Sequence, residues 1–302
     1  MSSQIPFLEL LKRRTVLFDG AMGTSLITAG LSAGESPEGW NLSNGTVVSE
    51  VHKAYVEAGA DVIQTNTLGG TQLKLKASGL GDHVKKINAQ AVRLARQFCP
   101  PDKYVAGDIG PTGQFLPPVG TCTPEEMEKN FREQAEILAG EGVDLFVVET
   151  MYDLQEIALA VRAVRDISNL PIVATVTFDR KPKGFFTIMG NSVADCAREL
   201  AAAGADALGS NCGLVSADMA DLAPLWRRST ELPILMQPNR GQPEMIDGKQ
   251  NYQQQPEPFA EDMVRIVKAG ADAVGGCCGT TPEFIALIHK RLTEEGLMIR
   301  KV

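Results

Sequence analysis

The amino-acid sequence predicts an α/β fold, a single (β/α)8 barrel formed by residues 1–302 as one domain. One observation behind this is a phrase that occurs four times: a helical pattern, a glycine, a small residue, an aspartate, and an apolar run ending in polar residues. The other is a set of four further apolar runs in the intervals. Eight strands alternating with helices indicate parallel pairing and, within about 280 residues, a closed barrel.

The repeated phrase has the pattern of a helix that ends at a glycine, followed by a short turn and a strand buried on both faces. Its glycines are Gly59, Gly142, Gly204 and Gly270, and the strands after them run through VIQTNT, LFVVET, ALGSNC and AVGGCC. The other four strands are predicted in TVLFDG from Thr15, YVAGDIG from Tyr104, PIVATVTF from Pro171 and PILMQPN from Pro233.

Helices are predicted between the strands, where apolar residues recur at three- and four-residue spacing. The clearest are Val47 to Glu57, His83 to Phe98 and Pro124 to Ala139. Thr123 and Glu126 match the capping-box pattern at the start of the third. Thr281, placed before Pro282, marks the start of the last helix in the same way.

The three histidines, His52, His83 and His289, all fall in helical patterns. We expect them at the surface or at helix ends.

The stretch Arg240 to Pro258 is polar and rich in Gln and Pro, so we expect a long loop after the seventh strand. Such a loop is either a solvated connector or a lid or docking element for a partner.

The overall composition is that of a globular, soluble chain, with 44% hydrophobic and 22% charged residues. A net charge of -8 argues against nucleic acid or an anionic membrane as partner, because both require a basic surface. No apolar run approaches the roughly 18 residues of a membrane span. The first residues lack the charge order of a signal peptide, so we expect a cytoplasmic location, where cysteine clusters indicate metal binding or catalysis more often than disulfides.

The ends of the eight predicted strands carry most of the residues with reactive or ligating side chains. In a (β/α)8 barrel these carboxyl-terminal ends converge on one face, which is where barrel enzymes have their active sites. The residues predicted there are Asp19, Asn66, Asp108, Glu149, Thr177, Cys212, Asn239, Cys277 and Cys278. Three of the six cysteines thus fall on this face, whereas Cys99, Cys122 and Cys196 are expected to be apolar filling elsewhere.

The three converging thiols, Cys212, Cys277 and Cys278, predict a zinc site with one open position. Adjacent strand residues point to opposite faces, so both Cys277 and Cys278 can reach one ion only if the backbone bends, as the surrounding glycines allow. A redox pair is the alternative, but neighbouring cysteines rarely form a useful disulfide and no Cys-x-x-Cys spacing is present.

Three thiolates overcompensate the charge of Zn²⁺, which makes the centre a poor activator of water and a good holder of a further thiol. A free thiol has a pKa of roughly 8.5 and is mostly protonated at neutral pH, whereas metal coordination deprotonates it. The implied reaction is attack by a substrate thiolate on an electrophilic carbon. Such a transfer requires no general base, so no catalytic side chain is predicted beyond the metal site.

Several segments resemble the homocysteine S-methyltransferase family. They are FDGAMGT from Phe18, QTNT from Gln64, ET at Glu149, GSNC ending at Cys212, QPN ending at Asn239, and GGCCGTTPE from Gly275. The resemblance runs from about Leu8 to Leu292 and is greatest to the homocysteine-binding domain of cobalamin-dependent methionine synthase. It implies a (β/α)8 barrel, zinc on the three cysteines, and homocysteine as the methyl acceptor.

The resemblance also implies roles for residues around the metal. Asp19 and Glu149 would recognise the ammonium group of homocysteine, which agrees with two carboxylates at strand ends. The backbone at Gly20 and Ala21 would receive the substrate carboxylate. Asn239 would fill the fourth zinc position when homocysteine is absent.

The methyl donor is predicted less directly. The resemblance implies methylcobalamin, and because one barrel occupies this chain, we expect it to arrive on a separate corrinoid protein. S-methylmethionine, S-adenosylmethionine or a betaine-type compound is the alternative, and a non-catalytic zinc- or thiol-binding subunit is another. Arg240 replaces an alanine common in the family, as either a cation near the site or a loop residue facing solvent. Asn191, in FFTIMGN, replaces a glutamine.

Overall fold

The computed structural model describes residues 4–246 and 249–299. The helices are α1 (Phe7–Arg13), α2 (Met22–Thr28), α3 (Trp40–Ser43), α4 (Gly45–Glu57), α5 (Gln72–Ala77), α6 (Val84–Phe98), α7 (Pro124–Gly140), α8 (Leu154–Ile167), α9 (Val193–Ala203), α10 (Ser216–Ser229), α11 (Pro256–Lys268) and α12 (Pro282–Glu294). The strands are β1 (Val16–Leu17), β2 (Val62–Gln64), β3 (Tyr104–Ile109), β4 (Leu145–Met151), β5 (Ile172–Val176), β6 (Asp179–Lys181), β7 (Gly184–Phe186), β8 (Ala207–Val215), β9 (Ile234–Asn239), β10 (Pro243–Ile246), β11 (Lys249–Tyr252) and β12 (Ala273–Val274).

Eight of these strands form one parallel sheet in the order β1-β12-β9-β8-β5-β4-β3-β2. A parallel bridge between Phe18 and Val62 joins the two ends of the sheet and closes it. Every one of the eight predicted strands contributes, so the predicted (β/α)8 barrel is confirmed. The other four strands form two antiparallel hairpins, β6–β7 and β10–β11.

The four glycines of the repeated phrase end their helices as predicted. Gly59, Gly142, Gly204 and Gly270 have φ angles of 101, 86, 104 and 108°. This left-handed conformation is strained for residues with a Cβ, and it ends a helix and redirects the chain into the following strand.

The core has two parts that follow the alternation of side chains along each strand. Inside the barrel, one set of alternate residues packs together and is closed off at the amino-terminal end by Phe7, Leu10 and Leu11 of α1. The opposite set packs against the surrounding helices and forms the larger apolar cluster. Because the period is two, the inward positions of β3 are Tyr104, Ala106 and then Asp108. At the carboxyl-terminal end of β3, where the barrel opens, the inward-facing residue is therefore polar.

Two helix starts differ in detail from the prediction. The Thr123 hydroxyl accepts a hydrogen bond from the Glu126 N–H at 3.2 Å, which is half of the predicted capping box. Ser192 and Asp195 form a complete reciprocal box at the start of α9, which the sequence analysis did not single out. Thr281 is the N-cap of α12 but makes no side-chain capping bond.

The prediction for His52 was wrong. This side chain is fully buried on the inner face of α4, in line with Val48 and Tyr55, and neither ring nitrogen has a hydrogen-bond partner within the described residues. His83 is exposed and His289 partly buried, as expected. None of the helices in the described part of the chain is long and apolar enough to cross a membrane.

The stretch Arg240 to Pro258 is more ordered than a connecting loop. It contains the β10–β11 hairpin, and α11 already begins at Pro256. Residues 247–248, within the same predicted loop, lie outside the described residues. Tyr252 on β11 is buried.

Candidate metal and thiol-binding site

The three predicted cysteines lie together at the carboxyl-terminal mouth of the barrel. The Sγ atoms of Cys212, Cys277 and Cys278 all lie within 4.8 Å of one another, and those of Cys212 and Cys278 are 3.9 Å apart. Tetrahedral zinc with Zn–S bonds of about 2.3 Å requires sulfur atoms about 3.8 Å apart. The thiol cluster can therefore hold a metal ion, and its spacing fits zinc.

Cys212 reaches the cluster because the backbone of β8 bends at this residue. Its φ angle is 58° and that of Gly213 is 66°, and the pairing of β8 with β9 shifts register between Asn211 and Val215. A left-handed non-glycine residue costs of order 1–3 kcal/mol and is found where surrounding structure enforces it, often at functional sites. Strand β4 has a similar irregularity, with Thr150 at a φ of 60° directly after Glu149.

Close packing around Cys277 and Cys278 requires the adjacent glycines. A Cβ on Gly276 would lie 2.3 Å from Thr280 Oγ1, and a Cβ on Gly279 would lie 2.4 Å from the Tyr252 ring. The Thr280 hydroxyl donates to the Cys277 carbonyl at 2.7 Å. The predicted bend thus follows from glycines that admit neighbouring side chains, with Thr280 holding the turn.

The three thiols differ in pKa when no metal is bound. The pKa of Cys212 is lowered to about 3, because the Cys277 and Cys278 thiols donate hydrogen bonds to its sulfur. The Cys212 thiolate in turn raises the pKa of Cys278 to about 12, and the pKa of Cys277 is also raised. One thiolate is therefore already favoured, and the two remaining protons would leave when a cation binds.

A carboxylate and amide network lies beside the thiols. Asp19 Oδ2 accepts the Gln64 N–H at 2.8 Å, and the Gln64 side-chain amide donates to Glu149 Oε2 at 3.0 Å. Gln237 donates to the Gln64 side-chain oxygen at 2.9 Å, which fixes the orientation of that amide. Burial raises the pKa of Glu149 to about 7 and that of Asp19 well above its usual range, with hydrogen bonds from Gln64 opposing both shifts.

These groups line one cavity of about 180 Å³. Its acidic groups are Asp19, Glu38, Asp108, Glu149, Cys212, Cys277 and Cys278, and no Lys, Arg or His belongs to its described lining. A larger groove, of about 650 Å³, lies beside the starts of α8 and α9 and contains none of the predicted site residues, although Asn191 lines it. The small cavity suits a ligand that is cationic at one end and carries a thiol at the other.

The two backbone positions predicted to receive a carboxylate, Gly20 and Ala21, both line the cavity. The Ala21 N–H donates to Thr280 Oγ1 at 3.2 Å, whereas the Gly20 N–H has no acceptor within the described part of the chain. A Cβ on Gly20 would lie 2.7 Å from the same Thr280 oxygen. Of the two amides, that of Gly20 is therefore the one free for a ligand.

Asn239 lies next to the thiol cluster. Its side-chain amide lies close enough to the Cys212 sulfur to contribute to the lowered pKa of that thiol, although less than the Cys277 and Cys278 thiols do. The side chain is buried, and its Oδ1 has no hydrogen-bond partner within the described residues. Because the two ends of an amide are interchangeable by rotation, the oxygen can also face the cluster.

Arg240 points away from the thiols. Its guanidinium lies over the Phe284 ring at 4.7 Å, and its Nε donates to the Gln254 carbonyl at 3.0 Å. The side chain therefore connects the segment between β11 and α11 to α12. Both readings from the sequence, a cation at the site and a solvent-facing loop residue, miss this bridging role.

Asn211 is a site residue that the sequence analysis quoted in a motif without assigning it a role. Its Oδ1 accepts from the Thr150 N–H at 2.8 Å and the Thr175 hydroxyl at 2.9 Å, and its Nδ2 faces Cys277 Sγ at 3.9 Å. Alternation along β8 could have indicated this inward position, since Ala207 faces the barrel interior.

Fold and site together define a barrel protein with a three-thiol cluster that could hold a metal ion, beside buried carboxyl groups. The family model for homocysteine S-methyltransferase matches residues 16–292. The chain belongs to the homocysteine S-methyltransferase family.

Individual relatives agree with this assignment. The chain is 31% identical to methionine synthase of Mycobacterium leprae over 92% of its own length but only 24% of the relative's length. It matches the metallated form of the homocysteine methyltransferase MmuM from Escherichia coli, with 26% identity and a TM-score of 0.80, over 95% of this chain and 100% of that one. A carboxyl transferase domain of Rhizobium etli pyruvate carboxylase, 16% identical with a TM-score of 0.54 over 98% of this chain and 51% of that one, shares the fold alone.

Proposed function

We propose that the protein transfers a methyl group to the thiol of homocysteine and so forms methionine, with zinc held by Cys212, Cys277 and Cys278. The observation that carries this proposal is the placement of the three thiols beside two buried carboxyl groups in one cavity of about 180 Å³. Homocysteine has a thiol and an ammonium group separated by three carbons, which matches a cavity with a metal-binding end and an anionic end. We further propose that residues 1–302 form a single domain with this activity.

The binding end for the amino group is formed by Asp19 and Glu149. Gln64 donates to one oxygen of each carboxyl group, through its backbone N–H to Asp19 and its side-chain amide to Glu149, and the second oxygen of each would accept from an ammonium. Glu149 also lies close enough to Cys212 for the thiolate to raise its pKa. The Gly20 N–H would receive the carboxylate of the substrate.

Zinc bound to the three cysteines would hold the acceptor thiol as a thiolate at neutral pH. The chain itself orients the acceptor through its amino and carboxylate groups, and this alignment lowers the entropic part of the barrier. Asn239, whose amide oxygen has no partner among the described residues, would occupy the fourth zinc position until homocysteine replaces it. The Tyr252 ring packs against Gly279, the residue after Cys278, and so lies near the cluster.

The proposed donor is methylcobalamin carried by a separate corrinoid protein. Support comes from the similarity to methionine synthases, of whose length this chain spans only about a quarter. A free sulfonium or betaine-type donor is the second candidate, favoured by the anionic cavity lining and by the full-length match to MmuM.

The test is to mix zinc-loaded protein and homocysteine with each donor in turn and to measure methionine. Methionine formed with a methylated corrinoid protein or methylcobalamin alone supports the first donor, and methionine formed with a small onium compound supports the second. Cys278→Ala serves as the inactive variant and Cys99→Ala as its control, because Cys99 caps α6 outside the cluster. If homocysteine yields no methionine with any donor, the proposed activity is wrong.

A further inference from the structure

Asp108 is a buried carboxyl group that no part of the proposed function uses. It lies at an inward position near the end of β3 and lines the same cavity as the thiols. Its side chain is 6% exposed, and its Oδ1 has no hydrogen-bond partner within the described residues. Burying a carboxyl oxygen without a partner costs free energy, so such a group indicates a ligand that supplies the missing donor.

The surroundings of Asp108 indicate which kind of donor is missing. Burial raises its pKa well above the usual range, and the next largest contributions come from the charges of Glu149, Asp19 and Glu38. Three carboxyl groups, on β3, β4 and the segment after β1, therefore lie close to one another. Glu38 is already engaged, since its two oxygens accept from the Gly69 N–H and the Ser36 hydroxyl.

The position of Asp108 along the cavity matches the amino end of the acceptor. In the sheet, β3 lies between β2, which carries Gln64, and β4, which carries Glu149. Asp108 near the end of β3 therefore lies beside the Gln64–Glu149 pair and lines the same cavity. An ammonium group has three N–H donors, and three carboxyl groups around one point can accept all of them.

We propose that Asp108 is the third acceptor for the ammonium group of the thiol substrate, together with Asp19 and Glu149. This inference rests on the proposed function, and it adds that the protein selects an α-amino thiol over the same thiol without its amino group. The selection follows because removal of the amino group would leave the buried Asp108 Oδ1 without a donor among the described residues, and Asp19 and Glu149 with only their bonds from Gln64.

The experiment measures binding of two thiols to zinc-loaded protein by calorimetry. Homocysteine is compared with 4-mercaptobutanoate, which has the same chain and carboxylate but no amino group. For Asp108→Asn we expect homocysteine to bind more weakly, on the order of 10- to 100-fold, as for a lost charged hydrogen bond. Affinity for 4-mercaptobutanoate should not fall. Glu156→Gln is the matched control, since Glu156 is equally buried at 6% exposure but accepts from Thr112 outside the cavity.

Zinc content and thermal unfolding of the same variants separate a binding role from a structural one. Because Asp108 has a buried oxygen with no partner in the described part of the chain, Asp108→Asn should keep its zinc and unfold at the same or a higher temperature than the unchanged protein. An equal loss of affinity for both thiols, an unchanged affinity for homocysteine, or a loss of zinc and stability would each overturn the inference. If the unchanged, zinc-loaded protein fails to bind homocysteine at all, the proposed function itself is wrong and the inference with it.

Discussion

The buried histidine of α4 gives a stability prediction whose size follows from the structure. Burial alone lowers the pKa of His52 from 6.5 to about 4. Between these two values the unfolded chain binds a proton that the folded chain does not, so folded-state stability is complete above about pH 6.5 and falls as the pH decreases towards 4. This pKa difference corresponds to a loss in the free energy of unfolding of about 3 kcal/mol at a pH well below 4 and of about 2 kcal/mol at pH 5.

The assay is urea denaturation of zinc-depleted protein at pH 7.5 and pH 5, for the unchanged chain, His52→Leu and His83→Leu. His83 is exposed and serves as the control. Between pH 7.5 and pH 5, the free energy of unfolding of His52→Leu should fall by about 2 kcal/mol less than that of the other two proteins. Other titrating groups, including the thiols, contribute equally to all three proteins and cancel in the comparison. Equal losses in all three would refute the assignment of His52 as a buried neutral side chain.

Four further expectations concern the metal site. Replacing any one of Cys212, Cys277 and Cys278 by Ala should remove most of the bound zinc, since two thiolates hold the ion poorly. If a variant keeps its full zinc content by elemental analysis, the replaced cysteine is not a zinc ligand. Gly276→Ala should also lower zinc affinity, measured by competition with a chelator, because the new Cβ would lie 2.3 Å from Thr280 Oγ1; unchanged affinity would mean that the turn can yield. Asn239→Ala should weaken zinc binding only in the absence of homocysteine, and equal weakening in its presence would count against the exchange of ligands. Removal of zinc should lower the unfolding temperature measured by calorimetry, because a metal that binds only the folded state stabilises it. An unchanged unfolding temperature would mean that zinc does not bind specifically to the folded protein.

Much of the barrel could be predicted from the chain because its signals are local. A glycine after each of four helical patterns needs only a left-handed φ to end the helix, and all four adopt it. Buried apolar runs of strand length pair in parallel when helices separate them. The convergence of the cysteines could also be predicted, because parallel strands of a barrel all end on one face.

Other features depend on contacts between distant segments. The burial of His52 follows from which face of α4 turns inward, although its spacing from Val48 and Tyr55 carried a signal for it. The bridging position of Arg240 requires Phe284 and the Gln254 carbonyl, which no local pattern connects to it. The β10–β11 hairpin, in contrast, is local, since it pairs Pro243 with Tyr252; it was not predicted because this polar stretch has no strand-like alternation.

The sequence by itself determined the eight strands, the glycine-ended helices and the three thiols, because periodicity, helix ends and strand ends are properties of short segments. Only the tertiary structure decided how the thiols and carboxyl groups share one cavity. The left-handed bend at Cys212, the Gln64 bridge between Asp19 and Glu149, and the Asp108 oxygen that has no partner among the described residues all arise where different strands meet. Hydrogen bonding and burial at such a point depend on side chains far apart in the chain, so they exist only once the barrel has closed.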